Sequence, residues 1–209
     1  MTRLGILLSG RGSNFLAIAD SIAGGKLQAQ IAIVISNRED APAIAAARAR
    51  GINTLVLPSK GRPREEYDRA VALALRNAGV ELIILAGYLR LLSPWFVQQF
   101  PEKILNIHPS LLPAFPGLEA QKQALEYGVQ VSGCTVHFVD EHLDHGAIIL
   151  QKSVPVLPSD DDHTLAERIL VQEHLAYSEA IAIVAGGNYR IQGRRVLDLS
   201  GNAAPNPSL

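Results

Sequence analysis

The sequence has little of what marks secreted, membrane-spanning or nucleic-acid-binding proteins. Its single cysteine, Cys134, excludes a disulfide within the chain and favours a reducing compartment. Its longest apolar run covers 82–92, includes Arg90, and is too short to span a bilayer. With 19 basic and 20 acidic side chains the formal net charge is −1, so the basic surplus of nucleic-acid-binding proteins is missing. We therefore expect a cytoplasmic protein with neither a membrane nor a nucleic acid as its partner.

Short apolar runs alternate with helix-like segments through the first half of the chain. Each run has the length and composition of a strand buried on both faces. The runs lie at 3–8, 30–36, 52–57, 81–86 and 103–108. The segments between them carry helix signals, among them Pro42 for a first turn and Ser93 before Pro94 for a helix start. This alternation predicts an α/β fold with a Rossmann-like, mostly parallel sheet and helices on both faces.

The pattern changes in the C-terminal half. Two longer apolar stretches, 131–139 and 146–156, are separated by the polar segment DEHLDH, which predicts an antiparallel extension of the sheet. A long helix is predicted from about 163 to 185, and a hairpin that turns at Gly193 follows it.

No segment rich in Pro or Ser divides the chain into separate units. Only the last stretch, GNAAPNPSL, has the composition of an unstructured segment. We therefore predict a single domain over 1–199, followed by a flexible tail over 200–209.

The first predicted strand leads into a glycine-containing loop, SGRGSN, that precedes a helix. Glycine lets the backbone approach an anion, and the free N–H groups at a helix start point towards it. Phe15 stands where a dinucleotide fingerprint has its third glycine, and the Gly-Lys pair of a triphosphate-binding loop is missing. A single phosphate held by Gly12, Ser13 and Asn14 is one interpretation. A tight turn with Asn14 capping the helix is the other.

The segment KILNIHPS joins the end of a buried strand to two polar side chains. Asn106 and His108 project from the same side of the strand, at the point where it leaves the sheet. Ligands of open α/β sheets bind outside the carboxyl ends of the strands. An amide donates to a developing oxyanion, and an imidazole transfers a proton or stabilises charge as a cation. The structural alternative is a strand end whose polar groups bond only to the protein.

Other chemistries fit the sequence less well. Four histidines are potential metal ligands: His108, His137, His142 and His145. The helical His-x-x-x-His pattern is missing and the last two lie in a predicted loop, so no metal is expected. Ser110 lacks the glycines of a nucleophile elbow, and Cys134 has no base beside it in the sequence.

Several segments resemble those of the formyltetrahydrofolate-using formyltransferases, in order and over about residues 3 to 190. They are LLSGRGSN, LAGYLRLLSPWFV, LNIHPSLLPAFPGLEAQKQAL, GCTVHFVDEHLDHGAIILQ and QEHLAYSEAI. NIHPSLLP followed by VHFVDEHLDHG is typical of the whole family, whereas SGRGSN and QEH resemble its phosphoribosylglycinamide formyltransferase branch. The resemblance implies transfer of the formyl group of 10-formyltetrahydrofolate to the amine of 5-phosphoribosylglycinamide, in purine biosynthesis.

The resemblance also implies roles for individual residues. Asn106, His108 and Asp144 are expected to be catalytic, with Asp144 orienting the histidine and favouring its cation. The expected substrate-binding residues are Gly12, Ser13, Asn14 and Glu173. The expected folate-binding residues are Arg64, Tyr88, Leu89, Arg90, Leu91, Leu92, Asn106, Asp140, Glu141, His142 and Leu143. After SLLP this chain has Ala114 and Glu119 where the family often has basic residues, so we do not expect that segment to hold an anion.

The implied partners are two small molecules, with the protein acting as a monomer or a homodimer. A formyltetrahydrofolate hydrolase, in which water replaces the amine, is the nearest alternative. That enzyme usually carries an extra N-terminal domain, and a methionyl-tRNA formyltransferase carries a C-terminal one; neither is expected here. A non-catalytic sensor of a phosphoribosyl ligand would keep the glycine loop without the chemistry.

Overall fold

The computed structural model describes residues 1–199, and the predicted tail lies outside the described residues. The strands are β1 (Thr2–Leu8), β2 (Ala29–Ser36), β3 (Thr54–Val56), β4 (Leu82–Leu85), β5 (Ile104–His108), β6 (Val131–Phe138), β7 (Ile148–Pro155), β8 (Tyr189–Gln192) and β9 (Arg195–Asp198). The helices are α1 (Ser13–Ala23), α2 (Pro42–Ala49), α3 (Arg64–Asn77), α4 (Pro94–Gln99), α5 (Ala120–Tyr127) and α6 (Asp162–Gly186). All predicted elements are present, and α5 is an addition to them.

The nine strands of the described residues form one sheet in the order β3-β2-β1-β4-β5-β6-β7-β9-β8. β1 to β5 are parallel to one another. β6 pairs antiparallel with both β5 and β7, and β8 with β9 form the predicted terminal hairpin. The mostly parallel sheet with an antiparallel extension is therefore confirmed. The strand order reverses at β1, so a crevice opens at the carboxyl ends of β1 and β4.

Helices cover both faces of the sheet, as predicted. Phe15 of α1 and Tyr177 of α6 belong to the hydrophobic cluster on one face. Tyr67 of α3 and Phe96 of α4 belong to the cluster on the other face. Both clusters draw on the same central strands because successive strand side chains point to opposite sides. No helix within residues 1–199 is both long enough and apolar enough to cross a membrane.

The helix starts show where local sequence signals hold and where they fail. Ser93 caps α4, since its hydroxyl accepts a hydrogen bond from the Phe96 N–H at 3.2 Å, and Pro42 begins α2. The interpretation of Asn14 as the cap of α1 is wrong. Gly12 occupies the N-cap position with a left-handed φ of 71°, and no side chain caps this helix. The Asn14 side chain instead donates a hydrogen bond to Glu173 of α6.

Candidate active site

His108 ends β5 and is almost fully buried. Its Nδ1 lies 3.4 Å from Oδ2 of Asp144, and its Nε2 lies 2.8 Å from the carbonyl oxygen of Phe115. Both ring nitrogens therefore face oxygen acceptors. Only the contact with Phe115 has hydrogen-bond geometry, and the carboxylate lies beside Nδ1 at ion-pair distance.

The Asp144 carboxylate reaches this point from the loop after β6. Its Oδ2 also accepts a hydrogen bond from the Gly117 N–H at 2.8 Å, and its Oδ1 lies 3.8 Å from Nε2 of His137. Asp144 has a backbone φ of 49°, in the left-handed region that residues other than glycine rarely adopt. The loop thus folds back over the end of β5, and the carboxylate side chain is only 8% exposed.

Asn106 meets His137 across the antiparallel pair of β5 and β6, where the two residues are in register. Its Nδ2 lies 3.3 Å from Nε2 of His137, and Nδ1 of His137 lies 2.8 Å from the carbonyl oxygen of Phe138. The carbonyl can only accept, so Nδ1 carries the proton and Nε2 accepts from the Asn106 amide. Burial lowers the pKa of His137, which keeps the ring neutral. From the sequence His137 is only a potential metal ligand, because its actual partner depends on strand register.

The loop between β1 and α1 leaves a helix start open for an anion. Gly12 has a positive φ, and an added Cβ there would lie 2.6 Å from the Ala43 Cβ. α1 has no side-chain cap and no acidic residue in its first turn. Its first N–H groups are therefore available, which is the arrangement that binds phosphate at helix N-termini.

Asn14 and Glu173 form a buried pair that joins α1 to α6. Nδ2 of Asn14 donates to Oε2 of Glu173 at 2.8 Å, and each residue is 8% exposed. Burial raises the pKa of Glu173, and the Asn14 hydrogen bond and the charge of His108 only partly oppose this. Oδ1 of Asn14 is buried and has no partner among the described residues. An unpaired acceptor next to a carboxylate fits a ligand that carries hydroxyl groups.

The segment Tyr88–Leu92 follows β4 and adjoins the first loop, because the Ser9 hydroxyl accepts from the Leu89 N–H at 2.8 Å. Leu89 and Leu91 are 74% and 57% exposed. The guanidinium of Arg90 lies 4.7 Å from the ring centroid of Tyr67 and donates to neighbouring backbone carbonyls. Its side chain therefore supports the adjacent loop, while the backbone and the leucines line the open side.

The remaining expected folate contacts lie on exposed positions, except for the half-buried Asp140. Asp140 to Leu143 precede Asp144 in the β6–β7 loop, where Glu141 accepts a hydrogen bond from Gln98 of α4 at 2.8 Å. Arg64 is exposed at the first residue of α3, and its guanidinium has no hydrogen bond or ion pair within residues 1–199. This hydrogen bond therefore ties the loop to α4, whereas Arg64 has no comparable contact among the described residues.

Comparison with known proteins places these residues in a family. A model of the family described as formyl transferase matches residues 2–181. The trifunctional purine biosynthetic protein adenosine-3 of Drosophila pseudoobscura pseudoobscura is 48% identical over 191 residues, which are 90% of this chain and 14% of that protein. The chain thus spans only a small part of that relative. The phosphoribosylglycinamide formyltransferase of Escherichia coli K12 is 40% identical over 187 residues, which are 89% of this chain and 88% of that protein.

Solved structures agree with this assignment. Glycinamide ribonucleotide transformylase 1 from Symbiobacterium toebii matches with a TM-score of 0.93 and 50% identity, covering 95% of this chain and 94% of that one. A formyltetrahydrofolate deformylase from Pseudomonas syringae pv. tomato matches with a TM-score of 0.89 and 23% identity, covering 94% of this chain and 65% of that one. The second likeness concerns the fold alone. By the family model and by its nearly full-length likeness to named relatives, the chain belongs to the formyl transferase family.

Proposed function

We propose that this chain transfers the formyl group of 10-formyltetrahydrofolate to the amine of 5-phosphoribosylglycinamide, a step of purine biosynthesis. The observation that carries the proposal is the meeting of Asn106, His108 and Asp144 at the carboxyl end of β5. An anion-binding helix start and the buried pair of Asn14 and Glu173 supply the second half of the site. The names of the full-length relatives support formyl transfer to this acceptor.

Asn106 and His108 act on the formyl oxygen in this proposal. As the amine nitrogen bonds to the formyl carbon, negative charge builds on that oxygen, and donors already in place stabilise it. Asn106 donates the Nδ2 hydrogen that His137 does not use, and His108 donates from Nε2. In this structure that nitrogen contacts the Phe115 carbonyl oxygen. When the substrates bind, the formyl oxygen replaces this carbonyl as the acceptor. Asp144 pairs with Nδ1 and holds the ring as a cation.

The reaction also requires one proton to move. The amine first adds to the formyl carbon, and the bond between that carbon and N10 of the folate then breaks as the oxyanion returns to a carbonyl. The proton that the amine loses arrives at N10. We assign this transfer to His108, acting directly or through a water molecule.

The substrates are held by separate groups. The N–H groups of Gly12, Ser13 and Asn14 bind the phosphate, and Glu173 accepts hydrogen bonds from the ribose hydroxyls. The folate lies against Tyr88–Leu92 and the loop from Asp140 to Leu143, with Arg64 at its outer end. We propose no metal in the reaction.

One assay tests this function. The purified protein is mixed with 10-formyltetrahydrofolate, and formation of the deformylated folate is followed with and without phosphoribosylglycinamide. We expect turnover that depends on the amine. Turnover without the amine would replace the proposal with a hydrolase, and binding of phosphoribosylglycinamide without turnover would replace it with a sensor. His163→Ala, at an exposed position on α6, is the control for activity that a variant loses during purification and storage.

A further inference from the structure

The β6–β7 loop contains a side-chain cluster to which the proposed reaction gives no chemical role. Asp140, His142 and His145 each offer one ligand-type atom, and these atoms lie within 4.8 Å of one another. Oδ2 of Asp140 is 2.8 Å from Nδ1 of His145, and Oδ1 is 3.9 Å from Nδ1 of His142. The two imidazole rings are 5.1 Å apart between centroids. The three groups are therefore close enough together for one ion to contact all of them.

The donor set is selective. Two imidazole nitrogens with one carboxylate oxygen suit zinc-type transition ions, whereas calcium and magnesium require mainly oxygen ligands. The side chains of His142 and His145 are 76% and 48% exposed, so water can complete the coordination. Within residues 1–199 neither imidazole has a hydrogen bond or ion pair with any side chain other than Asp140. The Asp140 carboxylate is itself held by the His142 N–H at 2.9 Å.

We propose that Asp140, His142 and His145 bind one divalent ion of the zinc class, at the edge of the active site and outside the reaction itself. The ion would tie together the two ends of the segment that carries Leu143 and Asp144. On the proposed function, that segment contacts the folate, and this part of the inference rests on that function. Asp140 and His142 are ligands of the ion here and folate contacts in the proposed function, so metal binding and folate binding are expected to oppose each other.

Direct titration tests the site without reference to catalysis. The full chain, freed of metal with a chelator, is titrated with Zn²⁺ by calorimetry and with Co²⁺ by visible absorption. We expect one ion per chain. His142→Ala and His145→Ala should each weaken binding at least about tenfold, because loss of even an outer-shell partner costs about 10- to 100-fold. Both side chains are exposed, so the fold should survive both changes.

Two controls locate the ion. His163→Ala removes an exposed histidine elsewhere on the surface, and His108→Ala removes the histidine paired with Asp144. Both variants should keep the wild-type affinity. Unchanged affinity in the two loop variants, weakened affinity in either control, or no binding at millimolar Zn²⁺ would each overturn the site.

A kinetic experiment tests the coupling to folate. Saturating Zn²⁺ should raise the KM for 10-formyltetrahydrofolate at least about fivefold in the wild type, which is the lower range of couplings between sites. The double variant His142→Ala, His145→Ala should show no such change. An unaltered KM in the wild type would overturn the coupling. A wild-type protein that gives no turnover either with or without Zn²⁺ would instead refute the proposed function and leave the titration result standing, whereas turnover that requires Zn²⁺ would overturn the placement of the ion outside the reaction.

Discussion

At the scale of single residues, hydrogen-bond partners decide what each side chain can offer a substrate. The Nδ1–H group of His137 donates a hydrogen bond to a backbone carbonyl, so Nε2 is an acceptor. The nitrogen of the Asn106 amide therefore faces this Nε2. The oxygen and nitrogen ends of an amide have almost the same shape, so packing alone would not choose between them. We infer that His137 orients Asn106 and thereby directs an N–H group to the formyl oxygen.

Asn106→Asp replaces the proposed oxyanion donor with an acceptor of the same size. We expect kcat to fall by about 10²- to 10³-fold, the usual cost of losing one oxyanion donor, and Asn106→Ala to lose as much. Steady-state kinetics at saturating substrates measure this, and thermal unfolding shows whether the fold is kept. Turnover near the wild-type value in a folded Asp variant would remove Asn106 from the mechanism.

His137→Leu removes the acceptor that orients Asn106. We expect kcat to fall about tenfold, which corresponds to about 1.4 kcal/mol and is the size of one hydrogen bond. The KM of each substrate should stay the same, and His137→Gln should recover part of kcat because its amide oxygen accepts.

A double-mutant cycle separates orientation from a merely structural role for His137. In the Asn106→Ala background, His137→Leu should change kcat no further, since no amide is left to orient. A second tenfold loss in that background would contradict the assignment.

At the scale of elements, the turn from β1 into α1 depends on one backbone conformation. Gly12→Ala should lower the free energy of unfolding by about 1–3 kcal/mol, because the residue would keep a positive φ and also meet the Ala43 Cβ. The KM of the phosphoribosyl substrate should rise more than that of the folate. Gly25→Ala is the matched control, since Gly25 has a φ of 70° with open space around it. Equal losses of stability in the two variants would contradict the close-approach argument.

The link between α1 and α6 should make stability depend on pH. Burial raises the folded-state pKa of Glu173 above its unfolded value of about 4.3. The stability that this group contributes is therefore fully present below about pH 4, and it is lost as the pH rises through the folded pKa.

Glu173→Gln removes that titration. Urea unfolding should show the variant gaining stability relative to the wild type between pH 4 and pH 7, while the KM of the phosphoribosyl substrate rises. The same stability difference at both pH values would contradict the buried ionisation.

At the scale of the whole molecule, α6 is anchored under the centre of the sheet. The hydroxyl of Tyr177 is fully buried and lies 2.9 Å and 3.0 Å from the carbonyl oxygens of Leu85 in β4 and Leu105 in β5. This contact connects the helix that carries Glu173 to the strand that carries Asn106 and His108. The two halves of the proposed site are thus positioned by one core.

Tyr177→Phe should therefore act on the molecule as a whole. We expect the free energy of unfolding to fall by about 1–3 kcal/mol, because carbonyl groups at the core lose their donor. Tyr67→Phe is the comparison, since its hydroxyl bonds a single carbonyl, that of the half-buried Leu57 at 2.9 Å, and it should lose less. Denaturant titration of both variants measures the difference, and a larger loss for Tyr67→Phe would refute the anchoring role.

Local patterns predicted the elements and some of their ends. The apolar runs placed the strands, and Ser93 and Pro42 marked helix starts, because these signals act within a few neighbouring residues. The interpretation of Asn14 as a cap failed because a buried carboxylate from α6 competes for the same amide. That competitor is distant in the sequence and has no local signature.

The sequence by itself determined the order of strands and helices, the antiparallel extension, and the placement of Asn106 and His108 on one side of β5. Only the tertiary structure decided how Asp144 reaches the histidine that the resemblance assigned to it, that His137 faces Asn106, and that Asn14 meets Glu173. The first set follows from side-chain periodicity and short-range backbone preferences. The second depends on strand register, on a left-handed backbone at Asp144, and on the packing of α6 against the sheet, which no short stretch of sequence specifies alone.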